Sequence, residues 1–365
     1  MMKHRRFSLL LPLLLSLGLA LSGCALEFIP ADAPASPDSA AQNELPVLEE
    51  GENLESGSAP LAVHFLDVGQ ADSILVCSGG ETMLVDAGDI GGGDAVVDYL
   101  KSQGVEKLDY LVMTHPHADH IGGMPEVLEA FPVGTVILPD AEAATKLYTR
   151  VLESIFEKEL AVQQPIPGDS FSLGEAQCLI LGPAALDYEG LNNFSVVLKV
   201  TLGDTSFLLT GDAEAQAEQD ILDTGADVQA NVLKVGHHGS YTSSSQAFLD
   251  AVHPQMAVIS VGEGNSYGMP HKEPLQRLRD AGIRVLRTDQ LGPIVICSDG
   301  QSLSISHAQD NAGSQPYYIG NRNSQVFHTP GCPSVEKMKE KNQVRFDSRE
   351  EAESQGYSPC QSCKP

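Results

Sequence analysis

Seven consecutive residues, Thr114-His115-Pro116-His117-Ala118-Asp119-His120, carry three imidazoles and a carboxylate directly after the apolar run Tyr110–Met113. A loop leaving a strand end turns alternate side chains into one pocket. His115 and His117 are therefore expected to face one divalent ion, and Asp119 and His120 a second. Imidazole and carboxylate donors suit borderline ions such as zinc. Two such ions hold a water between them and lower its pKa from about 15.7 towards roughly 7, so that a hydroxide nucleophile exists at neutral pH. Two later segments add donors of the same kind. Phe207–Leu209 runs into Thr210-Gly211-Asp212, which puts a carboxylate at a strand end, placed to bridge two ions. Val232–Val235 runs into Gly236-His237-His238-Gly239-Ser240, which puts two imidazoles at another.

A second ligand pattern lies at the C-terminus. His328-x3-Cys332 and Cys360-x2-Cys363 are two close pairs with 27 residues between them. Three thiolates and one imidazole at this spacing fit a closed tetrahedral structural zinc site. A module of about 50 residues with few large apolar side chains draws much of its folding energy from such an ion.

The elements that must position these groups follow from hydrophobic period. Strands are expected at Val63–Val68, Ile74–Cys77 and Met83–Asp86, a helix at Asp94–Gln103, and a buried strand at Tyr110–Met113. A helix near Pro125–Ala130, a strand at Val136–Leu138 and a helix at Ala143–Glu159 complete the first half. The second half reads as strands at Cys178–Leu181, Val196–Val200 and Ser206–Leu209. Strands at Val232–Val235 and Met256–Val261 then alternate with helices near Glu214–Asp223, Ser245–Val252 and Pro274–Ala281. Strands at Arg284–Arg287, Ile294–Cys297 and Leu303–Ser306 end it. This order gives an α/β fold of mixed sheets with helices outside.

The ends of the chain read differently. Lys3, Arg5 and Arg6 precede an apolar run from Phe7 to about Leu21, too short and one-sided for a membrane span, and so a signal peptide over 1–23. Leu21-Ser22-Gly23-Cys24 resembles a bacterial lipobox, which implies lipid attachment at Cys24 and anchoring to the outer face of the cytoplasmic membrane. Residues 24–60, rich in Ala, Pro, Ser and acid, are expected to form a disordered tether. A hydrolase domain over 61–308, a linker over 309–316 and a zinc module over 317–365 follow. The formal net charge of −27 excludes a protein that grips nucleic acid over its whole surface. The module is close to neutral, with 7 Lys+Arg and 6 Asp+Glu, so the excess acid lies upstream.

The HxHxDH run, the strand-end TGD and the strand-end histidines together resemble the metallo-β-lactamase superfamily. Leu66-Asp67-Val68-Gly69-Gln70-Ala71-Asp72, Leu84-Val85-Asp86-Ala87-Gly88, the run Lys234–Ser245 and the segment from Ser260 to His271 resemble, more narrowly, the hydrolase domain of ComEC-type competence proteins, which act in DNA uptake. The resemblance covers about 61–307. It implies an αββα sandwich with a metal site at one edge and phosphodiester hydrolysis of DNA. By position, His115, His117 and Asp212 would hold one metal, and Asp119, His120, Asp212 and His237 the other, with His238 as the alternative of its pair. Asp86, with Asp67, would stand behind the ligands as a hydrogen-bond acceptor. Asp119 and His271 would be catalytic, His271 stabilising developing charge or protonating the leaving oxygen. Most members of the superfamily supply a further histidine before the TGD. Here Asn192-Asn193 stands there, so Asn193 becomes an oxygen-donating candidate and manganese a candidate alongside zinc.

The C-terminal residues, among them Tyr318-Ile319-Gly320-Asn321 and Gly356-Tyr357-Ser358-Pro359-Cys360, resemble the metal-binding domain of Ada-type DNA repair proteins. There all four ligands are cysteines and one accepts a methyl group. His328 at one of those places argues against methyl transfer and keeps a structural zinc. Arg322, Lys337, Lys339, Lys341, Arg345 and Arg349 are candidate phosphate contacts or a solvated face. DNA and, through Cys24, the membrane are the expected partners; no protein partner is implied. Hydrolysis of a small or cell-wall phosphodiester, and DNA capture without catalysis, are the competing functions.

Overall fold

The computed structural model describes residues 57–307, 318–328, 332–346, 349–360 and 363. The expected leader, Cys24, nearly all of the tether and the linker lie outside the described residues. No helix among the described residues is long and apolar enough to cross a membrane.

In chain order the strands are β1 (Leu61–Phe65), β2 (Ile74–Ser78), β3 (Glu81–Val85), β4 (Leu108–Val112), β5 (Val133–Ile137), β6 (Ala161–Gln163), β7 (Ser170–Leu173) and β8 (Ala176–Gly182). They continue with β9 (Val197–Leu202), β10 (Thr205–Leu209), β11 (Val232–Lys234), β12 (Met256–Ile259), β13 (Arg284–Arg287), β14 (Ile294–Ser298) and β15 (Leu303–His307). They form an eight-stranded sheet in the order β15-β14-β1-β2-β3-β4-β5-β6 and a seven-stranded sheet in the order β13-β12-β11-β10-β9-β8-β7.

Alternation along the strands explains why the sheets stack. Val63 and Phe65 of β1, Val112 of β4, Phe207 and Leu209 of β10, and Met256 and Val258 of β12 share one apolar cluster between the sheets. Their neighbours in sequence point the other way. Leu111 and Met113 meet α1 (Gly93–Ser102), α2 (Ala118–Ile121), α3 (Met124–Ala130) and α4 (Lys146–Glu157) in a second cluster. Leu208, Ala257 and Ile259 meet α5 (Ala215–Asp223), α6 (Gln246–Val252) and α7 (Lys272–Asp280) in a third. Period two along strands and 3.6 along helices thus yields helix, sheet, sheet, helix, the αββα sandwich. Each fully buried Phe or Leu contributes about 1.5–3 kcal/mol relative to exposure.

The differences from the sequence expectation are short or edge elements. β6 and β7 have three and four residues, too few to show a period, and the turn Thr288–Leu291 is a single helical turn. α4 starts at Lys146 rather than Ala143 because the Thr145 hydroxyl accepts from Tyr148 N at 3.1 Å and caps it there.

The C-terminal module has its own four-stranded sheet of Tyr318–Asn321, Val326–His328, Gln343–Phe346 and Ser358–Pro359. Its apolar centre is small: Phe327, Phe346 and Ala352, with Tyr318, Val344 and Tyr357 against them.

Candidate metal centre

β3 and β4 run parallel in one sheet, β10 and β11 parallel in the other, and the chemistry sits at their C-terminal ends. From the first sheet come Asp86 and the loop His115–His120. From the second come Asp212, His237 and His238. The two loops are stitched together beneath the site. Val196 N donates to Thr114 O at 2.9 Å, Asp212 N donates to Ser195 Oγ at 3.0 Å, and His237 N donates to Gly211 O at 3.2 Å. Gly211 has φ of +51°, and a Cβ there would lie 2.9 Å from Thr114 Cβ, so the approach of the two loops requires glycine.

Asp212 is the hub. Its Oδ2 lies 3.3 Å from His120 Nε2, 3.7 Å from His237 Nε2 and 3.8 Å from His115 Nε2; its Oδ1 lies 3.7 Å from His238 Nε2. His238 Nε2 is also 3.4 Å from Asp119 Oδ2, and His115 Nε2 is 3.0 Å from His117 Nδ1. One ligand atom each from Asp119, His120, Asp212 and His238 falls within 4.8 Å of all the others. The sequence assignment of His237 to this group is therefore corrected: His238 occupies it, and His237 approaches the other oxygen of Asp212. Both histidines have left-handed backbone, φ 49° and 52°, which turns consecutive imidazoles toward one carboxylate from two sides.

The imidazoles are held in a single tautomer. His120 Nδ1–H donates to Asp86 Oδ2 at 2.7 Å, and His238 Nδ1–H donates to Ser260 O at 3.0 Å. Their Nε2 lone pairs then point inward, and both atoms are buried with no hydrogen-bond partner among the described residues, as is Asp212 Oδ1. Buried acceptors of this kind are costly unless something electropositive meets them. His237 Nδ1 faces Glu214 Oε1 at 3.2 Å, which leaves its Nε2 aimed at Asp212. Asp86 itself has a left-handed φ of 59° and accepts from Thr114 N at 2.8 Å and Thr114 Oγ1 at 2.6 Å, fixing the start of the histidine loop.

The carboxylates of the centre favour positive charge among the buried imidazoles, which a bound cation would supply in place of ring protons. Burial alone would raise Asp212, but His120 and His238 hold it well below the usual carboxylate range. Asp119, against its own burial, is brought down to about 2 by His238 and His120. Burial disfavours charge on His120 and His238, yet Asp212 with Asp86, and Asp212 with Asp72, raise them above the ordinary imidazole value. His115, buried and beside His120, is pushed well below it. A centre of convergent carboxylates and orphaned imidazole nitrogens fits divalent cations. Asp119, His120, Asp212 and His238 would hold one, and His115, His117, Asp212 and His237 line the adjacent side.

Other expected residues fall elsewhere. Asn193 does not face the centre: its Oδ1 accepts from Glu214 N at 3.1 Å and Ala217 N at 3.4 Å, satisfying the start of α5. Asn192 is the asparagine on the site, with Nδ2 3.3 Å from Glu214 Oε1 and 3.4 Å from His237 Nδ1. Asp67 is exposed and accepts from Gly69 N at 3.4 Å in its own turn, away from the ligands. The carboxylate of that motif that reaches the centre is Asp72, fully buried, paired with fully buried Lys234 at 2.9 Å and 3.5 Å from His238 Nδ1. Sequence reasoning missed Asp72, Lys234 and Glu214. The available signal was a lysine inside an otherwise apolar strand, which requires a buried partner.

His271 is the residue preceding α7. Its N donates to Gly239 O at 2.9 Å, and its Nδ1 accepts from Tyr241 N at 3.1 Å. An Nδ1 that accepts leaves the proton of the neutral ring on Nε2. Gln70 steadies the loop that carries it: Gly262 N donates to Gln70 Oε1 at 3.2 Å, and Gln70 Nε2 donates to Met269 Sδ at 3.4 Å.

In the C-terminal module, ligand atoms of His328, Cys332, Cys360 and Cys363 lie within 4.8 Å of one another, with His328 Nδ1 3.4 Å from Cys332 Sγ. One imidazole and three sulfurs, mostly buried, fit a structural zinc. Arg322, Lys337, Lys339, Lys341 and Arg345 are exposed, and Arg349 pairs with Glu353 at 2.8 Å.

Comparison with known proteins agrees with this geometry. Residues 303–365 match the metal binding domain of Ada, beginning within β15. The chain is 33% identical over 250 residues to ComE operon protein 3 of Bacillus subtilis, covering 64% of this chain and 32% of that protein. It is 31% identical over 252 residues to Recombination protein 2 of Haemophilus influenzae, covering 68% and 30%. The chain thus spans about a third of the length of these relatives. Hydroxyacylglutathione hydrolase of Vibrio parahaemolyticus is 29% identical over 213 residues, 56% of this chain and 71% of that one. Residues 66–263, more than half the chain and all the elements that build the centre, match the metallo-beta-lactamase superfamily, and the chain is a metal-dependent hydrolase of that superfamily carrying an Ada-type zinc-binding domain.

Proposed function

We propose that the protein is an exported, lipid-anchored phosphodiesterase that cleaves DNA outside the membrane. The observation that carries the reading is buried Asp212, whose Oδ2 lies within 3.8 Å of His120, His237 and His115 and whose Oδ1 lies 3.7 Å from His238, one carboxylate shared between both sets of imidazoles as in centres that hydrolyse phosphodiesters with two ions. Relatives named for competence and recombination, matched over about two thirds of this chain, support DNA as the polymer. The charged start, apolar run and Cys24 support export and anchoring.

Divalent ions, zinc or manganese, supply Lewis acidity and a low-pKa water when bound. The chain's own groups do the rest. Asp86, Ser260 O and Glu214 face the Nδ1 atoms of His120, His238 and His237, so that each Nε2 is the atom left to meet a cation. Asp119, held ionised, orients the attacking water's proton toward itself. His271, with Nδ1 occupied by Tyr241 N, presents Nε2–H to the departing oxygen.

A second reading keeps the chemistry and changes the substrate to a small or cell-wall phosphodiester. The net charge of −27, which repels a polyanion away from the centre, favours it. Non-catalytic DNA capture leaves the orphaned inward nitrogens without a role. The test offers purified protein plasmid, single-stranded DNA and a chromogenic phosphodiester, with zinc or manganese. DNA cleavage abolished by His120→Ala is expected; turnover of the small ester with intact DNA overturns the DNA reading.

A further inference from the structure

Beside His271 runs an open groove of about 610 Å³, lined by Tyr241, Lys272, Glu273, Gln276, Arg277 and Asp280. One end of it adjoins the loop that reaches the metal centre. His237 Nδ1 is 3.2 Å from Thr242 Oγ1, and Tyr241 is the residue before that threonine. Tyr241 is 63% exposed, unusual for so large a ring in a well-packed domain. It is nonetheless fixed in place. Its backbone N is bound to His271 Nδ1, and its ring lies 5.1 Å from the His271 ring, tilted 58°.

The two cations and two acids of the groove are not equivalent. Asp280 accepts from Gln276 Nε2 at 2.6 Å, which occupies it. Lys272, exposed in the first turn of α7, stands next to His271. Arg277 donates through Nη2 to Ser243 O at 3.3 Å, and its buried Nε has no partner among the described residues. A fixed exposed ring with a lysine at the neighbouring helix start is a pattern that takes a flat base and the phosphate attached to it, here in a lining where Glu273 and Asp280 balance the charge of Lys272 and Arg277.

Resting on the DNA reading above, we propose that this groove is a nucleotide subsite that selects single-stranded DNA. Tyr241 stacks the base flanking the scissile phosphate, and the exposed Lys272 takes the next phosphate. A base inside a duplex has both faces covered by its neighbours, so only an unpaired strand or a frayed end can use the ring.

The test uses the full chain and fluorescence anisotropy with cleavage-resistant phosphorothioate oligonucleotides: a single strand, the same strand with abasic sites, and the duplex. The wild type is expected to bind the single strand more tightly than the duplex. Tyr241→Ala is expected to lose roughly 5- to 150-fold on the single strand and little on the abasic strand, while Tyr241→Phe retains affinity. Lys272→Gln is expected to reduce the slope of log K against log salt by about 0.7. Equal effects of Tyr241→Ala on normal and abasic strands, or equal wild-type affinity for duplex and single strand, overturn the subsite. A wild type that binds no DNA of any form overturns the DNA reading itself.

Discussion

Replacing Asp86 by Asn exchanges one oxygen for an NH2 group and leaves the shape unchanged. Of the three hydrogen bonds to this buried carboxylate, the one from Thr114 N to Oδ1 survives on the amide oxygen. The amide nitrogen then faces Thr114 Oγ1 and His120 Nδ1 where Oδ2 stood at 2.6 and 2.7 Å. The threonine hydroxyl can turn its lone pair to the amide. His120 must give up its Nδ1 proton to accept, and the proton moves to Nε2, 3.3 Å from Asp212 Oδ2, where it donates. The lone pair available to a cation is lost. Restoring it sets two donors face to face in the interior, at a cost of about 1–3 kcal/mol. That range agrees with the roughly 10- to 100-fold loss of metal affinity seen when a ligand's outer partner is removed. Competition with a chelating fluorophore measures the affinity, and nitrogen NMR of the histidines reports the tautomer. A folded Asp86→Asn protein with wild-type affinity and His120 still protonated at Nδ1 would refute the reasoning.

His238→Ala removes one of the four atoms that lie within 4.8 Å of one another, and is expected to leave at most one metal equivalent at the hydrolase centre after dialysis, besides the zinc of the C-terminal module. His237→Ala spares that group and lowers occupancy only on the His115 side; metal analysis of both variants decides between them. A chelator, or Cys360→Ser, is expected to unfold the C-terminal module, whose apolar centre among the described residues is Phe327, Phe346 and Ala352 with Tyr318, Val344 and Tyr357 against them, and hydrogen exchange would show its strands losing protection while β1 and β10 keep theirs. His64, in β1 with its Nδ1 3.0 Å from Tyr99 Oη, is lowered by burial from 6.5 to about 4. Between those values the unfolded chain binds the extra proton, so stability rises with pH across the window and falls by roughly 3 kcal/mol from pH 7 to pH 4. Urea denaturation of His64→Gln is expected to lack most of that acid sensitivity.

The sandwich was legible because its strands alternate cleanly. Met256-Ala257-Val258-Ile259 sends two side chains to each face, and the helices between strands have one apolar stripe. The histidine loop was legible for the same reason, since a strand end fixes where the next few side chains go. The choice between His237 and His238 was not, because it depends on two consecutive left-handed residues, a backbone geometry that identity does not encode for histidine. Nor was the choice between Asp67 and Asp72. Both sit in one short motif, and only the turn at Gly69, with φ of +76°, decides which carboxylate enters the interior. Asn193 was misassigned because an asparagine can serve a helix start as readily as a metal.

The ligand set is divided between the two sheets, which meet at that edge through the bond from Val196 N to Thr114 O and the buried Asp72–Lys234 pair. Asp119 and His120 belong to one slab of the sandwich, Asp212 and His238 to the other. A cation held by all four therefore acts as a rivet through the seam, and the resistance of the two slabs to sliding apart rises with the logarithm of metal supply. In an environment where that supply fluctuates, the grip of the two slabs at this one edge and the readiness to react rise and fall together, while the apolar layer between the sheets holds the rest.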